Sequence, residues 1–136
     1  MKIHSIKCTD CNDTIFSFHQ HDYQKCQCGN SFLDGGFDYI RANKDVQFND
    51  IKDIIELVRN KFYWGKNQDE KGNKLKKTEY ALLKDLTSSH ICGILSYFTN
   101  KAFNNLEKEK YIDKEWCIIN EIFIEELNYR IKNKLI

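Results

Sequence analysis

The sequence predicts an α+β chain, with a small β-rich segment over residues 1–45 and a mainly helical body over residues 46–136. Three observations carry this. Cysteines fall in two close pairs near the N-terminus, Cys8/Cys11 and Cys26/Cys28. Short runs of β-formers alternate with glycine turns as far as Arg41. Beyond residue 50, apolar residues recur at helical spacing in three separate stretches. The expected division falls in the polar segment Ala42-Asn43-Lys44-Asp45.

The elements follow in order. Ile3–Lys7 leads into the first cysteine pair, and Thr14–Phe18 is rich in β-formers. Ser31–Leu33 and Phe37–Arg41 flank Asp34-Gly35-Gly36, a strong turn signal. Ile51, Ile54, Ile55, Val58 and Phe62 share one face of a helix expected over 50–63, capped by Asn49 or Asp50. Trp64-Gly65 is expected to end that helix. A Lys-rich hairpin is expected at about 64–83, with its tip at Gly72-Asn73. Thr87-Ser88-Ser89 opens a second helix, about 88–101, burying Ile91, Ile94, Leu95 and Phe98. Asp113 is expected to cap a third, about 114–133, with Trp116, Ile119, Ile122, Phe123 and Leu127 on its face. Ile118, Ile124 and Ile131 widen that stripe, which predicts burial on more than one side or pairing with a second copy as a homodimer.

The chain has 136 residues, of which 41% are hydrophobic and 13% aromatic, enough for a core and unlike a disordered chain. The formal net charge of +1 gives no global electrostatic case for nucleic acid or membrane. The excess is local, about +3 over residues 46–110. No apolar run approaches the roughly 20 residues that span a bilayer. Met1-Lys2-Ile3-His4 is followed by no apolar region, so no signal peptide is expected and the expected location is the cytoplasm. Thiols stay reduced there, so the six cysteines read as metal ligands and core residues, with Cys92 and Cys117 in the core.

The metal motif is Cys8-Thr9-Asp10-Cys11, fourteen residues, then Cys26-Gln27-Cys28-Gly29. A Cys-x-x-Cys turn sets two thiolates at the bite distance of one ion, and four such ligands suit tetrahedral zinc. Gly29 lets the chain turn where a Cβ would clash. The expectation is one structural Zn2+ held by Cys8, Cys11, Cys26 and Cys28 in a zinc ribbon packed on a body of three helices. The one-residue spacing of the second pair leaves His19 or His21 as a substitute ligand. Four protein ligands leave no open position for chemistry. A β segment this small also buries too little apolar surface to stand without its metal.

Cys8-x-x-Cys11, His19-Gln20-His21-Asp22-Tyr23, Cys26-x-Cys28-Gly29 and Asp34-Gly35-Gly36-x-Asp38-Tyr39-x-Arg41 together resemble a family of small zinc-ribbon-like proteins of tailed phages and prophages. That family has no assigned function. The resemblance covers about residues 5–41; Trp64-Gly65, the Lys-rich loop, Leu82–Leu86 and Thr87-x-x-His90-Ile91 are similar, more weakly, to other phage proteins. It implies a phage setting, in which small accessory proteins bind and disable a host machine or a host defence component.

Outside the cysteines, His19, His21, Asp22, Asp34, Asp38 and Arg41 supply groups for acid–base work or for binding phosphate or carboxylate. The structural reading of the same residues is that Asp34 caps the glycine turn, Asp38 pairs with Arg41, and the histidines pack beside the metal or face solvent. Lys66, Lys71, Lys74, Lys76 and Lys77, with Tyr63, Trp64 and Tyr80, form a candidate nucleic-acid surface, interrupted by Asp69 and Glu70. A lone His90 in a helix's first turn reads as structural. No phosphate-loop, dinucleotide, nucleophile-elbow or HExxH pattern appears. The function expected is a non-enzymatic, phage-type protein that binds and inhibits a host protein. The alternative is a nucleic-acid-binding accessory factor, and a third is a small metal-dependent hydrolase or nuclease built on the His/Asp group.

Overall fold

A computed structural model describes residues 2–69, 71–108 and 114–135. It is α+β, with eight strands, one 3-10 turn and three α-helices among those residues. The chain divides into two compact units, Met1–Val58 and Arg59–Ile136. The helix cap expected at Asp113 lies outside the described residues. None of the described helices is long and apolar enough to cross a membrane.

In the first unit, β1 (Lys2–Lys7) lies between β2 (Thr14–Phe16) and β6 (Gln47–Asp50), antiparallel to both. A second sheet joins β3 (Gln24–Lys25), β4 (Phe32–Asp34) and β5 (Arg41–Ala42), again antiparallel. Because β6 hydrogen-bonds along β1, the sequence-based boundary near residue 45 falls inside this unit; β6 and α1 (Ile51–Val58) go with it. The Asn49 side-chain amide donates to Ser5 Oγ at 3.0 Å, tying β6 to β1. Ile6, Cys8, Ile15, Cys26 and Leu33 form the buried cluster, with Cys11, Ala42 and Val46 packed against it.

The second unit opens on the antiparallel hairpin β7 (Tyr63–Gln68) and β8 (Lys74–Leu82). A 3-10 turn (Leu83–Asp85) leads to α2 (Ser88–Glu107), and α3 (Lys114–Lys132) follows. Helix α1 is shorter than its periodicity predicts because the carbonyls just beyond it are diverted. Arg59 O accepts from Lys84 N–H at 3.2 Å, and Phe62 O from Leu83 N–H at 2.8 Å. Trp64 therefore sits in a strand and packs its ring on Phe62, Phe98 and Phe123, with centroids 6.3, 6.1 and 5.2 Å away. Thr87 caps α2 by accepting from His90 N–H at 3.1 Å, as the Thr-Ser-Ser signal predicts.

The α3 stripe is narrower than expected. Ile118, Ile119, Ile122 and Phe123 are buried, whereas Ile124 and Ile131 face solvent. The buried face continues through Glu126 and Arg130, which are charged. Glu126 is fully enclosed and accepts from Arg59 Nε and from Arg130 Nε, each at 3.0 Å. Arg130 also donates to Ser88 Oγ and Leu83 O, both at 3.0 Å, and Arg59 lies 4.5 Å from the Tyr129 ring centroid. One carboxylate thus ties two guanidinium groups to the 3-10 turn and the start of α2. Helix α3 closes with Leu135 N–H on Arg130 O and Lys134 N–H on Ile131 O, with Lys134 at φ 56°. This is the six-to-one and five-to-two pattern of a helix end with a left-handed residue.

Candidate metal centre

Each cysteine pair occupies the turn of a hairpin. Between β1 and β2, Cys8 N–H bonds Asp13 O at 2.9 Å and Asn12 N–H returns to Cys8 O at 2.8 Å. Asn12, directly after Cys11, takes φ 61°, a conformation asparagine tolerates better than most residues. Between β3 and β4, Cys26 N–H bonds Ser31 O and Gly29 N–H bonds Cys26 O, both at 3.0 Å. Gly29, directly after Cys28, takes φ 80°. The two turns are therefore alike in having a left-handed residue after their second cysteine. Side chains tie them together: Gln27 N–H donates to Asp13 Oδ2 at 3.0 Å, and Asn30 Nδ2 to Asp10 Oδ2 at 3.2 Å.

The four Sγ atoms lie within 4.8 Å of one another. Cys28 Sγ is 3.6 Å from Cys8 Sγ and 3.5 Å from Cys26 Sγ. Sulfurs at ~2.3 Å from a tetrahedral ion stand ~3.8 Å apart, so the cluster has the size of a four-thiolate metal site. The one-residue spacing of Cys26 and Cys28 does not splay their sulfurs. The surroundings favour thiolate: Ser31 N–H points at Cys26 Sγ at 3.2 Å. The Ser31 hydroxyl is buried and has no hydrogen bond of ordinary geometry, and the Cys8 sulfur is the acceptor beside it.

These contacts split the thiols. Cys8 is lowered to about 6, first by the Ser31 hydroxyl and then by the Cys11 N–H. For Cys26, burial pushes up, but the Ser31 N–H and neighbouring thiols outweigh it and the pKa falls. At Cys28 the Asn30 N–H pulls down, yet desolvation and the three adjacent sulfurs drive it up to about 12. Four thiolates this close repel one another, and a cation at their centre removes that conflict. The arrangement can therefore hold a metal ion through four protein ligands.

The histidines stand apart from this cluster. His21, at φ 63°, sets Nδ1 3.0 Å from the Tyr39 hydroxyl, and His19 is exposed with Nε2 3.8 Å from Asp22 Oδ1. Asp22 makes its short bonds elsewhere, accepting from Phe18 N–H at 2.9 Å and Gln24 Nε2 at 2.6 Å. Arg41 pairs with buried Asp34 at 3.0 Å, where the sequence had suggested Asp38 as its partner. Asp38 is exposed, its N–H on Gly35 O. The His19–Asp22 loop and the Gly35-Gly36 turn are joined by Ser17, whose hydroxyl donates to Asp22 O at 2.6 Å and accepts from Gly36 N–H at 2.9 Å. Gly36 takes φ 57°, and a Cβ there would collide with the His19 backbone. The HxHD and DGGxDYxR motifs are thus two halves of one locked loop pair.

In the second unit, Lys74, Lys76 and Lys77 are exposed on β8, while Trp64 is committed to the aromatic core. Of the two cysteines expected in the core, Cys92 is exposed and Cys117 half-buried. Sequence reasoning missed Asn12, Asp10, Asp13 and Ser31. A left-handed residue one place after the second cysteine of each pair was the signal available for Asn12.

No curated protein and no solved structure matches the chain. Residues 1–43, which contain the four cysteines and the locked loop pair, match a family model described as a domain of unknown function (DUF7695).

Proposed function

We propose that the first unit is a zinc ribbon with one structural zinc ion, and that the chain is a non-enzymatic, phage-type accessory protein that binds and inhibits a host protein. The convergence of four sulfurs within 4.8 Å is the observation that carries the metal assignment. Zinc suits an all-thiolate tetrahedron, and four protein ligands leave no position for water or substrate. The ion's role is then to hold two hairpins whose shared buried cluster is small. Cys8, Cys11, Cys26 and Cys28 are ligands; Asp10, Asp13 and Ser31 support them.

A binding role is supported by what the ordered loops present. Tyr23, Tyr39 and Ile40 are exposed, at 44%, 38% and 48%, on the loops between the strands of the second sheet and the Ser17-linked turn. Rings and an aliphatic side chain on a rigid support are the usual material of a protein contact. The host setting comes from the sequence resemblance.

Elemental analysis of the purified chain is expected to give one zinc per chain. Chelation is expected to abolish the β signal of the first unit and leave the fluorescence of Trp64 and Trp116 unchanged, since both lie in the second. The zinc-loaded chain is expected to retain a stoichiometric host protein through nuclease treatment, and the chelated chain to lose it. Absence of stoichiometric metal, or an intact first unit after chelation, would overturn the metal assignment. A complex that dissolves with nuclease would overturn the protein partner.

A further inference from the structure

The outer face of the β7/β8 hairpin has a chemistry that the metal-bearing unit does not account for. In the ladder, Trp64 pairs with Ala81, Gly65 with Tyr80 and Tyr63 with Leu82. Successive side chains of a strand point to opposite faces. Trp64 points into the aromatic core, so Tyr63, Gly65 and Tyr80 share the face turned away from it. Tyr63 is 61% and Tyr80 72% exposed. A Cβ on Gly65 would stand 2.9 Å from Thr78 Cγ2 and 3.2 Å from Tyr80 Cε1. The Tyr80 ring therefore packs across the bare backbone of Gly65, filling with Thr78 the space a side chain there would take, and its other side is open to water.

Charge accompanies the rings. Lys74 and Lys76 are exposed on the same strand as Tyr80. Among the described residues, no ion pair engages Lys74 or Lys76. Asp69 is engaged at the hairpin tip, its Oδ1 accepting from the Lys71 and Asn73 N–H groups, each at 2.9 Å. Glu79 lies next to Tyr80 in sequence and so points to the opposite face, opposite Lys66 in the ladder.

We infer that this face binds single-stranded nucleic acid, with unpaired bases stacking on Tyr80 and Tyr63 and phosphates meeting Lys74 and Lys76. Aromatic rings held on a sheet and flanked by cations are a sequence-tolerant platform for such strands. A duplex keeps its base faces covered and offers the rings nothing, so the single strand is the preferred form. The site lies wholly in the second unit, beyond the binding role proposed for the first, and does not depend on the metal assignment.

The test is fluorescence anisotropy with the full zinc-loaded chain and a labelled oligothymidylate, alongside a duplex of the same length. Binding is expected, tighter for the single strand and weakening as salt rises. Tyr80→Ala is expected to lower affinity about five- to 140-fold, the range for one lost stacking platform, while Tyr80→Trp retains binding. Lys74→Gln with Lys76→Gln is expected to flatten the slope of log K against log salt by about 1.4. These side chains are exposed, and unchanged Trp64 and Trp116 emission verifies the fold of each variant. No binding at low salt, equal affinity for Tyr80→Ala, or a preference for the duplex would overturn the inference. So would a nuclease-resistant protein complex that Tyr80→Ala abolishes, which would make this face a protein dock.

Discussion

Replacing Glu126 by glutamine is expected to destabilise the second unit severely. The carboxylate is fully buried and takes three contacts from Arg59, at 3.1, 3.0 and 3.0 Å, and one from Arg130 at 3.0 Å. Every contact is a donated N–H. A glutamine amide keeps one oxygen and replaces the other with a second donor, setting N–H against N–H. The two guanidinium groups, at 14% and 7% side-chain exposure, then lose the carboxylate they share. Removing one partner of such a buried pair costs about 3–5 kcal/mol. In a unit of this size each kcal/mol moves the unfolding midpoint by about 4–8 °C, so the smallest expected drop is about 12 °C. The assay is a thermal melt followed by tryptophan emission, which reports this unit alone because the chain's two tryptophans both belong to it. Replacing all three charges together, Arg59→Met with Glu126→Leu and Arg130→Met, is expected to cost less than Glu126→Gln alone. A drop below about 4 °C for Glu126→Gln, corresponding to at most 1 kcal/mol, would refute the assignment of this network as the polar anchor of the helices.

Two further outcomes follow from local geometry. Gly36→Ala puts a Cβ onto the His19 backbone at a left-handed position, costing at least about 1–2 kcal/mol; on the proposal that the four cysteines hold zinc, faster zinc loss to a colorimetric chelator is expected, and an unchanged rate would mean the loop pair does not support the cysteine cluster. Asp69 is held below its usual pKa, first by the Asn73 N–H and then, against some desolvation, by the Lys71 N–H. A depressed folded pKa contributes stability above the ordinary carboxylate pKa of ~3.9 and loses it as pH falls through the lowered value. Exchange of the Asn73 amide is therefore expected to be protected at neutral pH and to lose that protection on acidification, after allowance for the intrinsic pH dependence of exchange. Asp69→Ala should remove the protection throughout.

The convergence of Cys8, Cys11, Cys26 and Cys28 was legible in the sequence because cysteine pairs at turn spacing are placed to meet at one point. The Lys-rich hairpin was legible too, through Gly72-Asn73 at its tip. The charged anchor of the second unit was not. Glu126 and Arg130 are four apart, the spacing of a solvent-exposed helical ion pair, and nothing local distinguishes that from a buried one. Arg59, sixty-seven positions from Glu126, and the contacts of Arg130 with Ser88 and Leu83 make the difference. The same long-range pull misplaced the end of α1 and turned Trp64 from a candidate binding ring into core. Asp34 took Arg41 from Asp38 because β4 and β5 pair Asp34 directly with Arg41, a register that spacing along the chain does not reveal.

The placement of each cysteine pair at a hairpin tip has a kinetic consequence. Both tips close over short stretches, and neither needs the other to form its own backbone hydrogen bonds. Two-sulfur half-sites are therefore available early in folding, and only the fourteen-residue interval must still close to join them. Loops of about 10 residues close in about 10–100 ns. Maturation of the proposed metal centre would then be paced by the arrival of the ion and not by the search of the chain.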